Sequence, residues 1–204
     1  RFKVNDNLTF RGSISSGFRA PSLAQLYYNL KFTNIVNGVS LPSLLSANNS
    51  TVTRAFGIEQ LKEETAFNSS IGFTYKTGGF TATIDAYSIS VDDRIILTDN
   101  FDASGLNLGV DAAQFFANGV DTKTQGIDIV LNYKKKFNDH RLDVGLVGNF
   151  NDTKIEKIKN GNLNRFTFFS PFSEAYLKAA APDHKFGLNL GYGYKKFDIA
   201  LGLT

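Results

Sequence analysis

Between Gln125 and Asn151 apolar and small or polar residues alternate strictly on both sides of a polar tract. Ile127, Ile129, Leu131 and Tyr133 alternate with Gly126, Asp128, Val130 and Asn132. After Lys134–His140, Leu142, Val144, Leu146, Gly148 and Phe150 alternate with Asp143, Gly145, Val147, Asn149 and Asn151. Side chains on a strand point to opposite faces in turn, so this pattern predicts an antiparallel hairpin. Each arm reaches the roughly 9–11 tilted residues that cross the apolar core of a bilayer. The second face, built of Gly, Asp and Asn, suits a water-filled lumen better than a packed interior. A chain organised around such a hairpin must repeat it, because one hairpin cannot close its own edges.

The pattern does repeat. Strands are predicted over residues 8–15, 63–76, 80–97, 115–133, 141–151, 184–194 and 197–204, with a phase slip near Ser88–Val91. Long irregular connections are expected over 16–62, 98–114 and 152–183. Short turns fall at Asn5–Asn7, Thr77–Gly79, Lys134–His140 and Lys195–Lys196. In an up-and-down meander this puts every short turn at one end and every long connection at the other, as in outer-membrane barrels. Phe73, Tyr75, Phe80, Tyr133, Tyr192, Tyr194 and Phe197 stand beside the short turns, where an aromatic girdle at the headgroup level would lie. The expected fold is therefore all-β, an antiparallel up-and-down transmembrane β-barrel. A soluble β-sandwich shares the alternation, but it rarely carries connections of this size.

Composition excludes much chemistry. The 204 residues contain no cysteine, so disulfides, thiol nucleophiles and cysteine-bound metals are absent. Two histidines cannot make a multi-histidine metal site, and a net charge of +3 is too small to argue for nucleic acid. There is no run of about 18 apolar residues, which speaks against a membrane helix but not against membrane strands. The chain opens at Arg1-Phe2-Lys3-Val4 with alternation under way and no signal peptide, as expected of a mature, processed or truncated chain. Asp139-His140 sits on a short turn with no nucleophile in register and reads as solvated, so no catalytic residue is expected. Asp99, Asp102 and Asp121 could supply calcium ligands, yet EF-hand spacing is missing, and no metal or cofactor is expected.

Four segments carry a family resemblance. Arg11-Gly-Ser-Ile-Ser-Ser-Gly-Phe-Arg-Ala-Pro-Ser-Leu23, continued by Ala24-Gln25-Leu26-Tyr27-Tyr28, resembles the strand and Phe-Arg-Ala-Pro stretch of TonB-dependent outer-membrane receptors. Leu61-Lys62-Glu63-Glu64-Thr65 is similar to the start of that family's next strand, with Glu63 where proline is usual. Asp92-Asp93-Arg94-Ile95-Ile96 resembles the segment that closes the following strand. Asn118-Gly119 to Gln125-Gly126-Ile127-Asp128 matches a further element, with Asp128 replacing Glu.

The resemblance implies a barrel of roughly 22 strands with a plugged lumen, of which this chain would supply about seven. It further implies import of a scarce siderophore, vitamin, glycan or peptide across the outer membrane of a Gram-negative bacterium. The implied partners are outer-membrane lipid, the receptor's own N-terminal plug, the TonB complex reached through that plug, and the extracellular ligand. Arg11, Asp85, Asp128 and Asp143 would then line the lumen, where they hold the plug or pair with one another in preference to touching substrate. Loop aromatics Tyr27, Tyr28, Phe115, Phe116, Phe166 and Phe168 either form a ligand-binding rim or serve as an interface girdle or loop packing. A soluble β-rich binding module and a small barrel enzyme are the alternatives, the latter without any Ser/His/acid order to support it.

Overall fold

The computed structural model describes residues 1–36 and 38–204; Asn37, inside the expected 16–62 connection, lies outside the described residues. The strands are β1 (Phe2–Lys3), β2 (Leu8–Arg19), β3 (Leu30–Val36), β4 (Val39–Ser46), β5 (Glu64–Thr77), β6 (Phe80–Leu97), β7 (Phe101–Asp102), β8 (Ala112–Phe137), β9 (His140–Ile158), β10 (His184–Tyr194) and β11 (Phe197–Leu203). Short helices α1 (Leu23–Tyr27), α2 (Thr51–Ala55), α3 (Arg165–Phe168) and α4 (Pro171–Lys178) lie in the connections.

The wall runs in the order β1-β2-β5-β6-β8-β9-β10-β11, every neighbour antiparallel. β1 and β11 stand at its two ends, so the sheet is open. The two-residue period of each strand propagates across the wall through the register. Phe10 pairs with Phe73, then Ile84, Ile129, Gly148 and Phe186, one row of the apolar face. One residue along, Arg11, Gly72, Asp85, Asp128, Asn149 and Lys185 make a row of the polar face. The apolar face is bare: Ile14, Phe18, Phe197 and Ile199 are each more than 70% exposed. Burying one such side chain is worth about 1.5–3 kcal/mol, so a continuous face of them requires a lipid neighbour.

Two strand pairs extend further than the periodicity suggested. The tract Lys134–His140, expected as a turn, is strand up to Phe137, and only Asn138 and Asp139 turn the chain. Lysines read as loop by composition, but Lys134 stands opposite Asp143 and pairs with it at 2.9 Å, which suits a ladder. β8 and β9 also run on past residues 115 and 151, to Ala112 and Ile158, and β2 runs to Arg19. The phase slip lies between Val91 and Ile95, where Asp93 adopts φ 57°, with a second irregularity at Asp121/Thr122 against β9.

Those bulges change what the polar face presents. Thr122 and Val120 keep the phase of Asp128 on β8, and their partners are Ile155 and Ile158. Both isoleucines pack against the buried core. Beyond the bulges the polar face thus turns apolar and takes up the long connections. These connections are not irregular. The 16–62 segment holds the end of β2, α1, the β3–β4 hairpin and α2, and β4 joins β8 in parallel from Ser43↔Ala112 to Ser46↔Phe115. The 98–114 segment contributes β7 and one turn of 3-10 helix, Ser104–Leu106. The 152–183 segment carries the end of β9, α3 and α4, the last begun by Ser170, whose hydroxyl accepts from Ser173 N, with Pro171 in the first turn. Together they form a cap. Its core includes Leu44, Ile58, Ile96, Phe101, Ala113, Phe115, Val120, Phe168 and Phe169.

Candidate functional site: a polar face beneath a folded cap

The polar face is cross-linked by charge. Arg11 Nε donates to Asp85 Oδ1 at 2.7 Å, and the second guanidinium nitrogen reaches Oδ2, a two-point contact that spans the whole width of β5. It can do so only because Gly72 lies between them: a Cβ there would come within 2.5 Å of Ile84 O and closer still to the Asp85 carboxylate. On the next strands Asn149 Nδ2 donates to Asp128 Oδ1 at 2.6 Å and to the Tyr87 hydroxyl at 3.2 Å. Asp143 pairs with Lys134, and Arg141 donates to Asp198 at 2.7 Å. All four carboxylate and guanidinium positions singled out from the sequence, Arg11, Asp85, Asp128 and Asp143, therefore occupy one face and bond to protein neighbours.

The six loop aromatics do not form one surface. Phe115 is 0% and Phe168 2% exposed, so both belong to the cap core and offer no ring to a ligand. Phe115 packs at 4.9 Å from Phe56 and 5.7 Å from Phe101. Their burial follows from the cap itself, which an isolated strand pattern does not reveal. Phe116 is half-buried, while Tyr27, Tyr28 and Phe166 are exposed. The structure adds Phe172 and Tyr176, one turn apart on α4 and both exposed. The Ser170-Pro171 start and the four-residue spacing were the available signals for that helix face.

Where cap meets wall, polar side chains tie the connections together. The fully buried Asn48 donates to Glu59 O at 3.1 Å and Phe116 O at 3.2 Å, and accepts from Leu61 N at 3.0 Å. Lys159 bridges Asp93 and Asp121, each at 2.6 Å, and Lys62 reaches Asp93 at 2.7 Å. Asn118 Nδ2 donates to both Lys62 O and Asp93 O. Lys62, Asp93, Asn118 and Lys159 floor an open cleft of about 650 Å³ between Gly57–Lys62 and Lys157–Leu163. The floor groups bond to one another, so the cleft reads as a clamp.

Burial alone would push the Lys159 ammonium down, but the bonds it donates to Asp121 and Asp93 hold its pKa above the ordinary 10.5. Its contribution to stability is thus complete below pH 10.5 and fades as pH climbs through the raised value. Lys159→Ala leaves two close carboxylates without their shared cation, an expected cost of about 2 kcal/mol. Protease cleavage of the cap in the variant should quicken at neutral pH. Unchanged cleavage at neutral pH would refute the clamp.

The three acidic residues weighed as calcium ligands are dispersed. Asp99 accepts from Ser170 N and Ser173 Oγ, Asp102 from Ser104, and Asp121 pairs with Lys159. Among the described residues no three acidic, histidine or cysteine side chains converge. His140, expected on a solvated turn, begins β9 on the apolar face instead. It stacks on Phe137 at 5.1 Å and shares a hydrogen with the Tyr192 hydroxyl at 2.7 Å.

An antiparallel wall with one lipid-facing and one polar face, its long connections folded at one end, defines an outer-membrane β-barrel protein. The chain belongs to the family described as TonB dependent receptor-like, beta-barrel, which it matches over residues 1–204. That family resides in the Gram-negative outer membrane, and its members are transporters, not enzymes. Among solved structures, the chain is similar to the siderophore receptor PirA from Pseudomonas aeruginosa, at 14% identity, 98% of this chain, 31% of that one and TM-score 0.55. It is also similar to the RagAB peptide transporter, at 15% identity, 97% of this chain, 26% of that one and TM-score 0.60. The copper transporter OprC gives 15% identity, 98% of this chain, 24% of that one and TM-score 0.50. At such identities the likeness is one of fold. The chain spans about a quarter to a third of the length of these three structures. No curated relative matches it.

Proposed function

We propose that this chain is one sector of the barrel of a TonB-dependent receptor that imports a scarce nutrient. The carrying observation is the charged row Arg11–Asp85–Asp128–Asn149 crossing the wall on the same side as the folded cap. A row of bonded charges on an open inner face suits a water-filled lumen and a polar plug seated in it. The cap stands outside the cell, the short turns stand in the periplasm, and the TonB complex acts through the plug. The exposed rings of Tyr27, Tyr28 and Phe166, with half-buried Phe116, supply the rim that meets the ligand. The ligand is a metal chelate, vitamin, glycan or peptide; the similar structures carry siderophore, peptide and copper in their names, which are different classes.

The test uses the full-length receptor in cells lacking or retaining TonB, offered ferric siderophores, copper, vitamins, glycans and peptides in turn as the limiting nutrient. Uptake of one class should require both the receptor and TonB. Joint Tyr27→Ala and Tyr28→Ala substitution should raise the half-saturating concentration about tenfold, or ~1.4 kcal/mol, with the amount of folded receptor unchanged. Uptake indifferent to the receptor for every class would sink the proposal.

A further inference from the structure

The chain's charge is concentrated in one place. Over residues 133–143 and 190–199 there are six cations, Lys134–Lys136, Arg141, Lys195 and Lys196, against the carboxylates Asp139, Asp143 and Asp198. That local excess equals the net +3 of the entire chain. The two turns concerned are neighbours in space, since Lys195 N donates to Asp139 O at 3.1 Å.

The faces divide these charges. Lys134 and Arg141 point to the polar face, where Asp143 and Asp198 pair with them. Lys136 shares their phase, opposite Arg141. Lys135 has the other phase, between Tyr133 and Phe137, and so lies on the lipid-facing side. Lys195 and Lys196 occupy the β10–β11 turn, and the Lys195 ammonium sits 5.3 Å from the centre of the Tyr194 ring. Among the described residues Lys135, Lys195 and Lys196 join no ion pair, and all three are exposed. At the β1–β2 turn, by contrast, Lys3 is paired with Asp6.

Beside the Lys195 ammonium lies a floor of rings. His140 packs on Phe137, 4.7 Å from Tyr194, and bonds Tyr192. Leu142, Leu190 and Ile199 continue the same face away from the turns. Three free cations beside a hydrogen-bonding aromatic shelf, with an aliphatic surface behind it, match one kind of molecule. It has a phosphate at one end and acyl chains at the other.

We infer that this patch binds an anionic phospholipid of the periplasmic leaflet, its phosphate held by Lys135, Lys195 and Lys196 and its chains laid along the apolar face. The placement in that leaflet rests on the proposed orientation of the short turns. The patch is an outer-wall site, separate from the lumen and from the ligand rim.

The experiment places full-length receptor in phosphatidylcholine vesicles carrying a trace of spin-labelled phosphatidylglycerol or spin-labelled phosphatidylcholine. The motionally restricted fraction of each label is compared. The wild-type protein should hold the glycerol lipid about fivefold more strongly per engaged lysine, the equivalent of ~1 kcal/mol each, or on the order of 100-fold with all three engaged. Lys135→Gln/Lys195→Gln/Lys196→Gln should abolish that preference, and the corresponding triple arginine variant should restore it. Lys136→Gln, on the lumen side, should leave it unchanged. Equal restriction of both lipids by the wild type overturns the proposal. So does loss of preference in the Lys136 variant alone, or displacement of the preference by inorganic phosphate, which would mark a soluble-anion site. Heat-modifiable gel mobility is read on every sample. A wild type that never inserts would overturn the barrel reading, whereas an inserted wild type without lipid preference overturns this inference alone.

Discussion

Phe115→Ala is expected to loosen the cap while the wall stays folded. Phe115 is wholly buried and sits against Phe56 and Phe101, drawn from α2's end and from β7. Truncating a buried phenylalanine typically costs about 3–5 kcal/mol, because transfer free energy and a cavity add together. The cost should fall on the cap alone. The wall's own two faces, one apolar and one polar, hold no core of their own, and the buried hydrophobic residues lie in the cap and the strand extensions beneath it. Proteolysis of intact cells should therefore cut within the connections 16–62, 98–114 and 152–183 at least about 100-fold faster, if cleavage follows the population of the opened cap. The heat-modifiable folded band should persist. Loss of that band together with the cap would show that the wall depends on the cap, contrary to this division.

Gly79→Ala should be the most damaging change in the wall. The β5–β6 turn rests on β8, with Lys134 N donating to Gly79 O at 2.8 Å. A Cβ on Gly79 would overlap the Lys134 carbonyl oxygen, with its carbon only 3.0 Å away. Both are backbone atoms, so no rotamer change relieves the clash, and β6 must part from β8 near Phe80↔Tyr133. An expected loss of about 3 kcal/mol follows, the upper part of the range for overpacking. Gly78→Ala is the control. Its Cβ meets nothing within 4 Å, and only its φ of +53° opposes a side chain. That strain costs about 1 kcal/mol. Urea unfolding of the two variants in vesicles should order them with Gly78→Ala the milder; the reverse order would refute the contact.

Legibility differed from one part of the chain to another. β6 and β10 begin and end where the pattern places them; β10 keeps one phase until its turn, and β6 keeps one phase up to the bulge at Val91–Ile95. Lys134–Lys136 misled, since composition favours a turn whereas pairing with β9 keeps them in the ladder. The Arg11–Asp85 contact combines two residues 74 apart, yet each was already assigned to the same face by period alone. Phe115 and Phe168 misled for the opposite reason: nothing within a few residues of either distinguishes a buried ring from an exposed one.

Alternation by itself determined the two-faced wall, its short and long ends, and the face on which Arg11, Asp85, Asp128 and Asp143 stand. A side chain's face depends on its own position along a strand, which is local information. The tertiary structure alone decided that the long connections fold, that bulges at Val91–Ile95 and Asp121/Thr122 turn the polar face apolar, and that the cap sits on that side. The cap core joins Leu44, Phe101, Phe115 and Phe168 from separate connections. No single segment carries a period that could announce their meeting, because burial there exists only once all of them have come together.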